Sequence, residues 1–319
     1  MSKWYGFSIN LVCFVLIQVT LYLLLLKLTD NNRLVSSFTV ALYSLNPTVI
    51  QYSLLIRMYM LLGVSFVFFA YSAYQYIFTY KNKYILYLFL ATLLGGLTNY
   101  FYYVYLVIMC LLILLMLLVN KVEVKKIIKP VISIVTATCT NLLIFPFTLD
   151  LFFQEKNSAI TAGKNFASNI INFKRVGKML SLSPFTFLGT IVIVVLVTIS
   201  MIYFLSKRKN KNDQFVMSLL ITYILYFSVI STIAFGVSYR FVCAIDGLLI
   251  VTIGYVLSYW DKLACLSNTK RAIVFSLLYI ITIPVVGYNK LQVMKYEPLE
   301  IAKQNEGGNL LVFTKEGTP

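Results

Sequence analysis

The chain has 319 residues, of which 60% are hydrophobic and 12% charged, with a mean hydropathy of +0.85. Soluble proteins average roughly 45–50% apolar and about 25% charged residues, so a soluble enzyme is excluded. The net charge of +16 does not point to nucleic acid, because the basic residues sit where cytoplasmic loops of a membrane protein carry them.

The apolar residues fall in runs of about 20, the length that crosses a hydrocarbon core. Stretches such as 106–119 and 190–205 do not alternate as strands of a β-barrel would. In chain order the predicted spans are 5–26, 34–52, 58–79, 84–99, 102–119, 130–152, 186–206, 215–234, 241–259 and 272–288. The expected fold is therefore all-α, a polytopic bundle of about ten spans filling 1–288. Lys27/Arg33, Lys81/Lys83, Lys121/Lys125/Lys126/Lys129, Lys207/Arg208/Lys209/Lys211 and Lys262/Lys270/Arg271 occupy every second connector. The short connectors between them hold only Arg57 and Arg240. The positive-inside rule puts the lysine-rich set in the cytoplasm. Both termini then face outward, with an outer loop at 153–185 and an outer tail at 289–319.

An outward N-terminus on a lead as short as Met1–Trp4 reads like an internal helix of a longer protein, and no cleavage site for a signal peptide follows it. In the tail, 298–304 has helical character, Gly307-Gly308 is a turn, and 309–314 looks like one strand. That is either the opening of a soluble outer domain or a disordered end.

There is no histidine, which removes histidine bases, histidine metal ligands and histidine proton relays. Cys13, Cys110, Cys139, Cys243 and Cys265 show no CxxC spacing and read as small hydrophobes packed between helices. Tyrosine clusters such as Tyr100, Tyr102, Tyr103 and Tyr105, or Tyr71, Tyr74 and Tyr76, lie near span ends, as interfacial belts do. Charges near the membrane carry more information. Pro47 breaks the second span near its outer end, which leaves Ser53, Arg57 and Tyr59 at an outer mouth. A guanidinium there can hold a phosphate bidentately with a tyrosine OH as a second donor, or it can snorkel to lipid headgroups. Of the outer carboxylates Asp150, Glu155 and Asp246, the last lies inside the ninth span near Arg240. Such an acid is a functional candidate or a structural partner to polar groups of another helix. At i+6 from Arg240 it needs an irregular helix start to pair with it. Asp150 marks the end of the sixth span.

The segment Asn46-Pro47-Thr48-Val49-Ile50-Gln51-Tyr52-Ser53-Leu54-Leu55-Ile56-Arg57-Met58-Tyr59-Met60-Leu61-Leu62 resembles a motif of the GT-C superfamily of membrane glycosyltransferases. It is most similar to the dolichyl-phosphate-mannose-mannosyltransferase-like and RgtA/B/C/D-like group. Leu55 stands where that motif has an acid. Leu97-Thr98-Asn99-Tyr100-Phe101 is similar to the family's T-H-Y-F at an outer helix end, and Tyr239-Arg240-Phe241 resembles a late R-Y/F step. The resemblance implies transfer of a sugar from a polyprenyl-phosphate donor to a lipid-linked or cell-envelope glycan on the outer face of a bacterial plasma membrane. It implies a lipid-phosphate site at Arg57, Tyr59 and Arg240, and a substrate groove near Ser53, Asn99 and Tyr100. The family's acceptor-activating aspartate, in its first outer loop, would precede Met1. The expectation is accordingly a chain truncated at its front and inactive alone, its catalytic residue unknown; were the short chain the real product, Asp246, Asp150 or a partner protein would have to supply the base. No ligand cluster demands a metal, although a donor phosphate could bring a divalent ion. The rival readings are a polysaccharide polymerase or ligase, and a transporter or flippase of lipid-linked glycans. The partners expected are the bilayer, the lipid-linked donor and a glycan acceptor.

Overall fold

The computed structural model describes residues 3–54, 58–146, 173–181, 186–208, 210–233 and 242–263, with short stretches at 270 and 273–274. The helices are α1 Lys3–Leu28, α2 Arg33–Ser44, α3 Pro47–Leu54, α4 Tyr59–Thr79, α5 Lys83–Thr98, α6 Phe101–Val119 and α7 Val124–Ile144. They continue with α8 Phe173–Ser181, α9 Thr186–Arg208, α10 Lys211–Ile233 and α11 Asp246–Leu263, the last preceded by a 3-10 turn, Cys243–Ile245. No strand occurs among the described residues.

Seven of these helices are long and apolar enough to cross a bilayer, namely α1, α4, α6, α7, α9, α10 and α11. The chain is a multi-pass α-helical membrane protein. Two expected spans fall short of that standard, and a third cannot be compared with it. The second is two helices, α2 and α3, because the chain leaves α2 at Leu45 and restarts at Pro47, whose fixed φ suits a helix start. The fourth, α5, is a 16-residue helix, shorter than the roughly 20 residues that span a bilayer. The tenth, like the tail with its expected strand, lies outside the described residues apart from 273–274.

Short connectors force neighbouring helices to run antiparallel. At one end of the bundle they turn through left-handed residues: Asp30 and Asn31 after α1, Tyr80 after α4 and Lys121 after α6. These are the lysine-rich connectors, and side chains tie them together. Lys262 Nζ meets Asp30 Oδ2 at 2.7 Å, and Asn32 Nδ2 donates to Asp261 Oδ2 at 3.0 Å. Asn120 Nδ2 donates to Gln214 Oε1 at 2.6 Å, and Tyr74 OH lies 3.3 Å from both the Lys27 carbonyl and Asn212 Oδ1. Deeper in, Tyr255 OH donates to Oδ1 of the fully buried Asp213 at 2.6 Å. The alternation of charge along the sequence thus corresponds to one shared end of the bundle.

The core lies between α1, α4, α10 and α11, with α4 and α11 the most enclosed of the spanning helices. Close approach needs small residues, as membrane helix contacts generally do. A Cβ on Gly254 would meet Leu25 of α1 and Thr39 of α2. Tyr102 and Tyr105 are fully buried and surround Phe66, together with Tyr226 of α10, at ring separations of 4.3–5.6 Å. These tyrosines are core and not interfacial belt: their rings fill the space between α4, α6 and α10. The cysteines divide similarly, since Cys13 and Cys243 are buried but Cys139 is exposed on α7.

Helix α7 starts at Val124, six residues before the expected boundary, and contains Pro130. Proline has no N–H, so the carbonyl four residues earlier, that of Lys126, loses its partner within the helix. Tyr76 OH of α4 donates to that carbonyl at 2.7 Å. The bond lets a proline sit in α7 and ties α7 to α4. Tyr76→Phe is expected to lower unfolding stability in detergent by about 1–3 kcal/mol by leaving the carbonyl unpaired. In a Pro130→Ala background the same substitution should cost less, because alanine at that position supplies the missing N–H. Equal losses in the two backgrounds, measured by thermal or SDS unfolding, would contradict the pairing.

Candidate functional site

The end of the bundle opposite the lysine-rich turns has irregular backbone. The α2–α3 break, the start of α4, the two-residue α5–α6 connector and the 3-10 turn before α11 all lie there. A buried acid sits among them. Asp246 is the first residue of α11 and is 4% exposed. The unsatisfied amides of a helix start favour a carboxylate in that position. Its charge acts on Tyr43 of α2, on Tyr223 of α10 and on Cys243 in the 3-10 turn, all buried. Among the described residues the other carboxylates, Asp30, Glu123, Asp213 and Asp261, belong to the opposite end.

Tyrosines also gather at this end. Tyr100, at the N-cap of α6, is 38% exposed. Burial, and after it the neighbouring Tyr59, push the Tyr100 phenol above its ordinary value. Tyr100 also acts on buried Tyr226, which in turn neighbours Cys243. Tyr100 and Cys243 are thus both electrostatic neighbours of Tyr226, and Cys243 is one of Asp246.

Of the residues expected at a site, Tyr59 opens α4 and is buried, and Ser53, near the end of α3, is buried too. Ser53 Oγ donates to the Ile50 carbonyl at 2.7 Å. Asn99 Oδ1 accepts the Phe101 N–H at 2.9 Å, so that oxygen shapes the α5–α6 turn. Tyr59, Tyr100 and Asp246 are thus brought to one end of the bundle. Arg57, Arg240 and Asp150 lie outside the described residues, as does Leu55. The irregular start that pairing of Asp246 with Arg240 requires is present as the 3-10 turn.

Between α7 and α9 the chain forms α8, which packs on α9 and α10. Arg175 Nη1 donates to the Thr232 carbonyl at 2.9 Å and so meets the C-terminal end of α10. Lys174 and Lys178 are exposed. Among the described residues no three His, Cys, Asp or Glu side chains gather as a metal site would require.

Sequence reading missed Tyr43, Tyr223 and Tyr226. Tyr223 and Tyr226 share a face of α10 at i, i+3, but they stand in an apolar run with no charge beside them to single them out. Tyr43 precedes the Pro47 break by four residues, and the break itself was the available signal.

No family model matches the chain, and no curated protein or solved structure matches it either.

The arrangement predicts an order of accessibility. In a cysteine-free background, Tyr100→Cys should react with a membrane-impermeant maleimide from the side opposite the lysine-rich turns, and Tyr226→Cys should not. Adding Tyr100→Ala should make Tyr226→Cys reactive from that same side. Reaction of Tyr100→Cys and of Asn82→Cys from one common side would contradict the separation of the two ends.

Proposed function

We propose that this chain is a GT-C-like membrane glycosyltransferase component that binds a polyprenyl-phosphate-linked sugar at the end opposite its lysine-rich turns. That end would face outward at a bacterial plasma membrane. The single observation supporting this most is the buried Asp246, whose charge reaches Tyr43 and Tyr223, at the same end as Tyr59 and Tyr100. The sequence pattern around Pro47, Ser53, Arg57 and Tyr59 supports it independently.

A polyprenyl-phosphate sugar needs cations and hydroxyl donors for its phosphate and an apolar surface for its tail. In this reading Arg57, Tyr59 and Arg240 hold the phosphate, charge-assisted bonds from arginine being the strong ones. Ser53, Asn99 and Tyr100 border the groove beside it. The acceptor hydroxyl oxygen bonds to the anomeric carbon as that carbon's bond to the phosphate oxygen breaks. The proton passes to a carboxylate, assigned here to Asp246, and polyprenyl phosphate leaves. Neutral phenols suit such a place because they offer O–H donors without a second charge to desolvate.

The test separates binding from chemistry. With the chain in nanodiscs, polyprenyl monophosphate should bind saturably, and Arg57→Ala should weaken it about tenfold or more, the loss of roughly one charge-assisted bond. Asp246→Asn should leave both that affinity and the melting temperature intact. Sugar transfer in cells producing the chain, read as glycan product, should be lost with Asp246→Asn. Absence of phosphate-dependent binding would overturn the reading. Preference for a pyrophosphate-linked glycan would move it to a polymerase or ligase.

A further inference from the structure

Helices α6 and α7 are consecutive but part company. Helix α7 packs along α5 while α6 packs along α10, and the wedge between them has α4 as its floor. The wedge is a cleft lined by Phe69, Ala73, Leu114, Leu117, Ile127 and Val131, among others, in the half of the bundle nearest the lysine-rich turns. Tyr76 also lines it, but its hydroxyl is engaged by the Lys126 carbonyl. The cleft measures ≈ 50 Å³ and its lining is apolar. It opens where the chain meets lipid, so hydrocarbon is the chemistry that suits it. Val131 on its rim is 48% exposed.

The mouth is charged. The turns on either side, the start of α5 and the first two turns of α7 carry Lys81, Lys83, Lys121, Lys125, Lys126 and Lys129. The acid Glu123 stands against them, 3.2 Å from Lys126. Positive-inside bias accounts for lysines in both turns, but not for an apolar cleft that ends between them. Basic pockets between membrane helices on the cytoplasmic side are where anionic headgroups bind.

We propose that the α6–α7 cleft is a binding site for an anionic phospholipid, with an acyl chain in the wedge and its phosphate among the lysines of the two turns. The site is independent of the donor site proposed above, which lies at the other end of the bundle.

The test uses the full chain in vesicles of phosphatidylcholine containing increasing fractions of brominated phosphatidylglycerol. With Trp4 and Trp260 replaced by Phe, a reporter tryptophan is placed at the cleft rim (Val131→Trp). A control is placed on α9 at a similar distance from the same end (Ile202→Trp), where the side chain is 55% exposed. Quenching of the rim reporter should outrun the bulk lipid fraction, while the control should follow it. Lys121→Gln, Lys125→Gln and Lys129→Gln should each reduce the preference, by up to about fivefold per lysine. Arg57→Ala should leave it unchanged. Equal quenching at the two reporters, or a preference that survives the three lysine substitutions, would overturn the proposal. Displacement by polyprenyl phosphate but not by phosphatidylglycerol would also overturn it, since the cleft would then serve a different lipid.

Discussion

Hydrocarbon supplies no hydrogen bonds, so every carbonyl that a membrane helix leaves open must be met from within the protein. Pro130 shows how far this reaches. Its missing N–H frees the Lys126 carbonyl, Tyr76 of α4 takes it, and α7, which packs mainly along α5, is thereby joined to the core helix as well. The same requirement gathers the other cross-helix bonds. Tyr105 donates to the Phe66 carbonyl and Asn141 to the Thr92 carbonyl, each linking two helices through the backbone. At the lysine-rich end, bonds from Asn32, Tyr74, Asn120, Tyr255 and Lys262 bind together the ends of α1, α4, α6, α10 and α11. The exposed Lys262–Asp30 pair contributes little on its own, whereas the buried Tyr255–Asp213 bond holds a carboxylate that lipid would not tolerate unpaired.

With one end closed in this way, irregular backbone collects at the other. The α2–α3 break and the 3-10 start of α11 would each leave open polar groups in hydrocarbon, and such segments persist only where protein or a polar cavity surrounds them. Asp246 fits that setting, since it is buried and the helix start beneath it favours negative charge. The site residues are therefore held by the helices whose other ends the polar seam fixes. A substitution in that seam, such as Tyr255→Phe, would reach Asp246 through α11 itself.

Much of the helix order was legible because apolar runs and lysine placement report directly on a bilayer. Pro47 marked the second-span break, and the 3-10 turn supplies the irregularity that Asp246 at i+6 from Arg240 had required. What was not legible depends on neighbours. The start of α7 was misplaced because Lys125, Lys126 and Lys129 read as loop, yet long lysines extend from a helix toward the interface while their stems remain in it. The tyrosines of α6 read as belt because position near a span end says nothing about which face a side chain takes. Tyr102 packs across Gly95 and Tyr105 across Phe66, contacts between residues of different helices. Asp213 stands two residues after Lys211 with nothing in the sequence to single it out, yet it is fully enclosed.

The two ends differ in the kind of polarity they use, and the difference bears on what each can bind. Lysines at one end are strongly hydrated point charges that can lie among headgroups without fixed geometry. Such a surface suits an abundant lipid whose headgroup exchanges readily. The opposite end uses phenols and one buried carboxylate, groups whose positions are set by packed rings and a helix start. A fixed constellation of this type discriminates by geometry, because a ligand lacking the matching hydroxyl or phosphate would leave buried polar atoms without partners. On the two proposals made above, selectivity by geometry is therefore expected at the Asp246 end, and preference by charge alone at the lysine end.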